Sequence, residues 1–289
     1  MKVKSYLYII TAAACWGLIG LFVRQLAAEG YSSLQIVALR SLVAAVCISL
    51  LVARSPRRTL TIRQRDCWLF IGTGICSLVF FNFCYFNAMQ QTNLAVAALL
   101  LYTSPIFVML LSLICFGERF TRSKAIALVL TFTGCACVTG ALGSGLALST
   151  SGLLYGLGSG FGYALYSIFG KYAVQRYSSL TITAYTFYFA VLGSWPLSGL
   201  QLTSLGNLSN QAIFNVCALG ILCAVLPYLL YTKGLEGVEA GRASILATIE
   251  PFVAAAVGVL CFSEPLTLTK ITGMALILAA IVVLNLERK

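Results

Sequence analysis

The sequence predicts an all-α integral membrane protein in which ten transmembrane helices form two inverted five-helix repeats. The 289 residues are 60% hydrophobic and only 9% charged, with a mean hydropathy of +0.95. An ordinary soluble chain is about 45–50% apolar and about 25% charged. Apolar stretches recur along the whole chain, and the second half repeats the first. Little chain remains for a soluble domain.

Ten stretches are apolar enough to cross a bilayer, for which about 20 residues are needed. They begin near residues 5, 33, 67, 94, 123, 150, 181, 211, 241 and 269. The first follows two lysines, as in a signal peptide, but its apolar run is too long for one. We therefore expect it to be the first span.

The basic residues indicate the orientation of these spans. With a cytoplasmic N-terminus, sixteen of the nineteen Lys and Arg residues fall on the cytoplasmic side. The exceptions are Arg24, Lys270 and Arg40, the last inside the second span. The positive-inside rule thus favours a cytoplasmic location for both termini. We expect the protein to lie in the bacterial inner membrane. The net charge of +11 is scattered among short loops and forms no basic face, so we expect no nucleic-acid partner.

The chain repeats itself at a spacing of 146 residues. The motif YSSL occurs at residues 31–34 and again at residues 177–180. The same spacing relates Tyr85 to Tyr231, Pro105 to Pro251, Glu118 to Glu264, Thr121 to Thr267 and Lys124 to Lys270. We expect one repeat over residues 1–143 and the other over 144–289. Because five spans are an odd number, the second repeat starts from the opposite side of the membrane, as in many secondary transporters.

Both repeat ends carry a family resemblance. The segments YTSPIFVMLLSLICFGERFTRSKAIALVLTFTGCACV from Tyr102 and TIEPFVAAAVGVLCFSEPLTLTKITGMALILAAIVVL from Thr248 resemble the repeated unit of the EamA family, in the drug/metabolite transporter superfamily. So do AACWGLIGLFVRQL and ALRSLVAAV. The resemblance implies a central cavity lined by helices one to four of each half. It also implies transport of amino acids, other metabolites or drugs without a cofactor.

Glu250 is the one acid well inside a predicted span. An ionisable group there costs at least about 2.5–3.5 kcal/mol and usually faces a cavity or a partner. It is a candidate for binding a proton or substrate. Alternatively, Glu250 and Pro251 cap and hinge a broken helix, because proline cannot continue the backbone hydrogen bonds. Pro105 repeats this proline, whereas Ser104 stands where the second half has Glu250.

Three roles are open for Arg40. It pairs with Glu250, it holds a substrate carboxylate, or it reaches toward the outer surface. The sequence leaves these alternatives open.

Polar and aromatic side chains predict two walls of a cavity. Asn82 and Tyr85 share one helical face, and the repeat spacing maps them onto Tyr228 and Tyr231. Small-molecule sites are mostly apolar with a few polar anchors. Trp16, Tyr102 and Tyr163 are further candidates for this cavity. The alternative for the tyrosines is an interfacial aromatic belt.

Other features limit the chemistry. The eleven cysteines lie in or beside apolar spans without metal-ligand spacing, so we expect no metal and no disulfide. Glu118 with Lys124, and Glu264 with Lys270, are six residues apart at turns, where we expect exposed ion pairs that fix each hairpin.

The expected function is secondary transport by alternating access. The cargo is a small metabolite, an amino acid or a relative, moved outward, with protons as a candidate coupling ion. Proton-coupled efflux of lipophilic cations is the alternative. An intramembrane enzyme or a lipid scramblase is disfavoured, because the chain has no histidine and no paired intramembrane carboxylates.

Overall fold

The computed structural model describes residues 2–55, 60–141 and 149–286, and these residues contain helices and no strand. The expected boundary between residues 143 and 144 lies outside this range. Fifteen α-helices are present in the described part: α1 Lys2–Gly17, α2 Ile19–Ala28, α3 Ser33–Ala53, α4 Cys67–Ile71, α5 Phe80–Gln91, α6 Leu94–Leu101, α7 Ser104–Phe116, α8 Arg122–Thr139, α9 Thr150–Ala173, α10 Ser179–Ser198, α11 Asn210–Gly220, α12 Leu226–Leu235, α13 Ala240–Leu246, α14 Ile249–Phe262 and α15 Leu268–Leu286.

Seven helical segments in the described ranges are long and apolar enough to span a membrane. Several of them join consecutive helices: Val3–Ala28, Ser33–Ala53, Gln64–Gln91, Leu94–Phe116, Arg122–Thr139, Asn210–Leu235 and Ala240–Phe262. The chain is therefore a multi-pass helical membrane protein. The ten spans expected from the sequence are not all among these seven, because α9, α10 and α15 fall outside the set.

The helices repeat with the spacing seen in the sequence. Four pairs begin 146 residues apart: α3 and α10, α5 and α12, α6 and α13, and α8 and α15. Each half also contains a π-helical stretch at the corresponding place, Gly72–Val79 and Ile221–Val225. The first half interrupts its first helix at Leu18, whereas α9 runs unbroken.

The repeated residues are those that begin and break helices. Ser32 and Ser178, both from the YSSL motifs, cap α3 and α10 by accepting backbone N–H bonds from Gln35 and Thr181. Thr121 accepts a bond from the Lys124 N–H at the start of α8. An N-cap oxygen satisfies an amide that has no partner within the helix. The recurring motifs thus fix the same helix boundaries in both halves.

Each half contains one broken helix that leads to a proline. The break between α6 and α7 lies before Pro105, and the break between α13 and α14 lies before Pro251. Thr103 and Thr248 occupy the breaks with nearly the same backbone, φ −73° and ψ −10° against φ −72° and ψ 5°. A proline in the first turn sacrifices no helical hydrogen bond, since those amides have no acceptor in the helix.

The equivalent helices α8 and α15 pack antiparallel to one another. The Ser123 hydroxyl near the start of α8 donates to the carbonyl of Val283 near the end of α15, at 2.7 Å. Further along, a Cβ added to Gly134 would lie 2.9 Å from the carbonyl oxygen of Gly273. Glycine at both positions therefore allows the two backbones to approach closely.

The two hairpin ion pairs differ from each other. Lys270 contacts Glu264 at 3.0 Å, as expected. Lys124 is 3.8 Å from Glu118 but 2.8 Å from Glu239. The prediction of an exposed ion pair is wrong for Glu118 and Lys124, because the side chains of Lys124 and Glu118 are only 3% and 9% exposed. Glu118 is engaged elsewhere, as described below.

Candidate functional site

An aromatic cavity lies between the two halves. Its lining residues come from α1, from the π-helical stretch Gly72–Val79, and from α5, α9 and α12: Trp16, Ser77, Phe81, Tyr163, Tyr166, Ser167, Tyr228 and Tyr231. The centre of a water molecule can occupy about 10 Å³ of this cavity, which is room for about one water. In this conformation the side chains nearly fill the space.

Trp16 is at the centre of the ring cluster. Its indole lies 5.4 Å from the ring of Tyr228 and 5.3 Å from that of Tyr231 between centroids, and 6.1 Å from that of Tyr163. Phe81 packs edge-on against Tyr163 at 5.4 Å. Edge and tilted ring pairs at these distances each contribute about 0.5–1.5 kcal/mol beyond burial. The walls are therefore well packed.

Hydroxyl pairs hold two of the tyrosines in place. Tyr166 and Thr232 hydroxyls are 2.7 Å apart, and so are those of Ser167 and Tyr231. Both bonds link α9 of the second half to α12. These hydroxyls are satisfied by the protein, as buried polar groups usually are.

Tyr163 connects this cavity to Glu250. Its ring lines the cavity, and its hydroxyl donates to Oε2 of Glu250 at 2.9 Å. Glu250 is the second residue of α14, directly after the helix break, and is half-buried. The positive end of a helix dipole favours a carboxylate in its first turn. A carboxylate with few neighbouring donors is thus placed at the edge of an aromatic cavity.

The surroundings of Glu250 combine residues from both halves. Tyr85, Tyr102 and Cys135 of the first half lie close enough to interact with it electrostatically. Arg40 does so as well. Groups from both halves therefore surround Glu250, since Tyr163 and Tyr228 of the second half interact with it as well.

Arg40 forms no ion pair with Glu250, and no carboxylate of the described residues lies within 4 Å of its guanidinium. The residue is only 7% exposed, and its Nε has no hydrogen-bond partner in the described structure. Its charge lies near Tyr228 of the cavity wall. Burying a charged group without a partner is costly, so the environment of the Arg40 Nε is unusual for a buried side chain.

The structure does not bring all the predicted site residues together. Trp16, Tyr163, Tyr228 and Tyr231 line the cavity together. Tyr85 and Tyr102 lie within electrostatic range of Glu250, and the two prolines occupy the first turns after the helix breaks. Asn82 is buried and donates to the carbonyl of Leu78 in the preceding π-helical stretch at 2.6 Å, and it is not among the residues that line the cavity.

Four lining residues were missed from the sequence: Ser77, Phe81, Tyr166 and Ser167. Tyr166 and Ser167 lie three and four positions after Tyr163, so helical periodicity was a signal for them. Ser77 lies in the π-helical stretch Gly72–Val79. Phe81 and Ser77 lie four and eight positions before the predicted Tyr85, so the same helical periodicity was a signal for them too.

Within the described ranges, no three His, Cys, Asp or Glu side chains lie close enough to hold a metal ion. The described cysteines are all free thiols. What the site offers is an aromatic surface, hydroxyl groups and two separated charges.

Comparison with known proteins identifies the fold. A model of the EamA-like transporter family matches residues 3–140 and, a second time, residues 150–286. The chain belongs to the EamA-like transporter family. The double match confirms the resemblance seen in the sequence, because each match covers one repeat.

Relatives of this EamA-like chain carry transporter names. An uncharacterized transporter of Archaeoglobus fulgidus is 35% identical over 213 residues, covering 72% of this chain and 75% of its own. The uncharacterized transporter YwfM of Bacillus subtilis is 27% identical over 287 residues, covering 99% and 95%. The uncharacterized inner membrane transporter YicL of Salmonella typhimurium is 22% identical over 293 residues, covering 99% and 96%.

A solved structure has the same fold. One crystal structure superposes with a TM-score of 0.83 over 99% of this chain and 98% of that chain, at 17% identity. Together, the family and the relatives identify this EamA-like chain as a membrane transporter, and they argue against an enzyme.

Proposed function

We propose that this EamA-like transporter exports an amino acid or a related small metabolite across the bacterial inner membrane by alternating access. The observation that carries this proposal is the bond from Tyr163 to Glu250. One side chain thereby joins the aromatic cavity to the carboxylate that follows the broken helix. Sites of secondary transporters often lie near the bilayer midplane, between repeats and beside discontinuous helices.

Ten spans in two inverted repeats are the architecture we propose. The helices α9, α10 and α15 correspond, 146 residues later, to Val3–Ala28, Ser33–Ala53 and Arg122–Thr139, which are apolar enough to span a membrane. The antiparallel packing of α8 and α15 supports the inversion, because repeats related by an axis in the membrane plane place equivalent helices in opposite directions.

The orientation that we propose places both termini in the cytoplasm. The excess of Lys and Arg on that side supports it. The hydrogen-bonded groups Glu118, Lys124 and Glu239 then lie near the cytoplasmic surface, and Glu264 with Arg24 near the outer surface.

The charges of the site favour a zwitterionic cargo. Arg40 has no carboxylate partner among the described residues, and Glu250 is bonded to a neutral phenol. An amino acid brings one group for each charge, while the rings of Trp16 and Tyr228 suit its apolar portion. The cavity has room for about one water, so it must widen before such a molecule enters. Rocking of the repeats supplies that change.

Glu250 has two candidate roles within this mechanism. As a coupling residue, it exchanges a proton as the cavity faces each side in turn. As a hinge residue, it caps the first turn of α14 beside Pro251. The bond to Tyr163 favours the coupling role, because a group that only caps its own helix does not need a donor from the cavity wall.

Efflux of a lipophilic cation is a second candidate. The ring cluster around Trp16 favours it, since aromatic faces attract cations and the carboxylate of Glu250 would supply the counter-charge. In that case Arg40 has no role in binding.

Counterflow into proteoliposomes tests both candidates. The panel contains amino acids, the amines that lack their carboxylate, and organic cations, with wild type, Arg40→Gln and the control Arg65→Gln, whose side chain is exposed. We expect wild type and the control to exchange amino acids, and Arg40→Gln to lose at least about 90% of that rate, as when a charged partner worth more than 1.4 kcal/mol is removed. Exchange of organic cations alone, unchanged in Arg40→Gln, would establish the second candidate instead.

A further inference from the structure

Glu118 and Glu264 leave the ends of equivalent helices in the same geometry. The helices α7 and α14 both end in a left-handed residue, Gly117 with φ 63° and Ser263 with φ 54°. The next N–H then bonds back to a carbonyl six residues earlier, 3.3 Å for Glu118 and 3.1 Å for Glu264. This C-cap fixes the direction of the chain. Any difference between the two glutamates therefore comes from what surrounds them.

Glu118 binds the first turn of α13 in the other repeat. Its Oε1 accepts from the Ala240 N–H at 2.8 Å and its Oε2 accepts from the Gly241 N–H at 3.1 Å. The N-cap of α13, Glu239, supplies no side-chain cap of its own and contacts Lys124 instead. The amides at a helix start have no acceptor within the helix, so a carboxylate from the first repeat satisfies them.

Glu264 does not make the equivalent contact. It is bound by Arg24 at 2.5 Å and Lys270 at 3.0 Å, and its side chain is 31% exposed. By the repeat spacing, its counterpart surface is the first turn of α6, Leu94 and Ala95. That helix is capped by its own Asn93, whose Oδ1 accepts from the Val96 N–H.

Helix packing shows the same difference. In the described structure α7 packs closely on α13, whereas the equivalent α14 hardly contacts α6. The two repeats are therefore joined at the Glu118 end and apart at the Glu264 end. When inverted repeats rock against each other, equivalent elements exchange their environments.

We propose that Glu118 and Glu264 are the two halves of one gate, of which only one is closed at a time. In the conformation described here, Glu118 holds α13 and closes its end of the transporter. In the alternate conformation Glu118 releases α13, while Glu264 leaves Arg24 and accepts from the N–H groups of Leu94 and Ala95. The gate rests on the proposed alternating access, but it requires no particular substrate or coupling ion.

The chemistry suits a reversible contact. Hydrogen bonds from amides to an ionised carboxylate are about twice as strong as bonds between neutral groups, and they need no side-chain partner. Each glutamate also has a lysine six residues later in its own hairpin, Lys124 for Glu118 and Lys270 for Glu264, so neither carboxylate is left without a counter-charge when it moves. After release, the start of α13 has Glu239 at the N-cap position, as α6 now has Asn93.

Hydrogen–deuterium exchange of the purified full-length protein in nanodiscs tests the gate without a substrate. The variants are Glu118→Gln, Glu264→Gln and the control Glu29→Gln, whose carboxylate accepts from Ser209 outside the gate. In Glu118→Gln we expect the amides of residues 240 and 241 to exchange about tenfold faster, as after loss of a charge-assisted bond. Because the alternate state gains population, the amides of residues 94 and 95 should exchange more slowly.

Glu264→Gln should act in the opposite direction. In the described conformation Glu264 makes only partly exposed ion pairs, which contribute little to stability, whereas in the alternate conformation it accepts from two backbone amides. Glu264→Gln therefore weakens mainly the alternate conformation, so release of α13 becomes rarer and the amides of residues 240 and 241 should exchange more slowly than in wild type. If Glu118→Gln speeds exchange at residues 240 and 241 without slowing it at residues 94 and 95, Glu118 is only a local helix cap and the gate is wrong. Unchanged or faster exchange at residues 240 and 241 in Glu264→Gln would also contradict the gate, and this second test holds even if Glu118→Gln does not fold. Transport assays play no part in either outcome, so a wrong cargo assignment leaves this test intact.

Discussion

Replacing Tyr163 by phenylalanine removes the hydroxyl that donates to Glu250 and leaves the ring in the cavity wall. A hydrogen bond to an ionised carboxylate contributes about 1.5–3 kcal/mol to stability, and more is lost when the acceptor stays buried without a donor. For a chain of this size, about 2–4 °C in Tm corresponds to 1 kcal/mol. We therefore expect Tyr163→Phe to lower Tm by about 3–12 °C.

Thermal unfolding in detergent measures this in a double-mutant cycle with Glu250→Ala. With Glu250 absent, Tyr163→Phe should cost little, so the coupling between the two positions should be about 1.5 kcal/mol or more. The matched control is Tyr166→Phe, one turn along α9, which loses a bond to Thr232 instead. Its effect should be the same with and without Glu250. Equal coupling for both tyrosines, or none for Tyr163, would refute the link between the cavity and the embedded acid.

Two further predictions concern packing and pH. A Cβ at Gly17 would lie 2.8 Å from the carbonyl oxygen of Glu250, whereas a Cβ at Gly20 would meet nothing within 4 Å. Gly17→Ala should therefore destabilise the protein by about 1–3 kcal/mol, and Gly20→Ala should stabilise it by up to about 1 kcal/mol. Tm shifts of the same sign for the two variants would contradict this packing. Hydrogen bonds, first that from Arg24, hold the pKa of Glu264 below its ordinary value of 4.5. The stabilisation that these bonds give the folded protein is complete above pH 4.5 and is lost as the pH falls through the lower pKa of folded Glu264. The Tm difference between wild type and Glu264→Gln should therefore shrink on acidification. A constant Tm difference from pH 6 to pH 3 would contradict this prediction.

Local chemistry explains which parts of the fold could be predicted from the sequence. The YSSL motifs became helix caps and the two prolines followed helix breaks, because a cap or a proline acts on the backbone within a few residues. The repeat spacing then predicted the same helix boundaries in the second half. The same spacing correctly selected Tyr228 and Tyr231 as residues of the cavity wall.

The contacts that distinguish the halves could not be predicted in this way. The bond from Tyr163 to Glu250 joins residues 87 positions apart, and the bonds from Glu118 to α13 join residues more than 120 apart. Such contacts depend on how the two repeats pack against each other, and the periodicity of the sequence does not contain that information. For Glu118, the nearby Lys124 was the obvious partner in the sequence, but backbone amides of the other repeat are closer.

The central claim is that Glu250 couples the aromatic cavity to proton movement during transport. The most direct test is amino-acid flux into proteoliposomes with and without an imposed pH gradient, for wild type, Glu250→Gln and the control Glu236→Gln, whose carboxylate pairs with Lys233 in α12. We expect the gradient to accelerate flux in wild type and in the control, and to have no effect on the exchange that remains in Glu250→Gln. An equal response to the gradient in all three proteins would contradict the claim and restrict Glu250 to the hinge of α14.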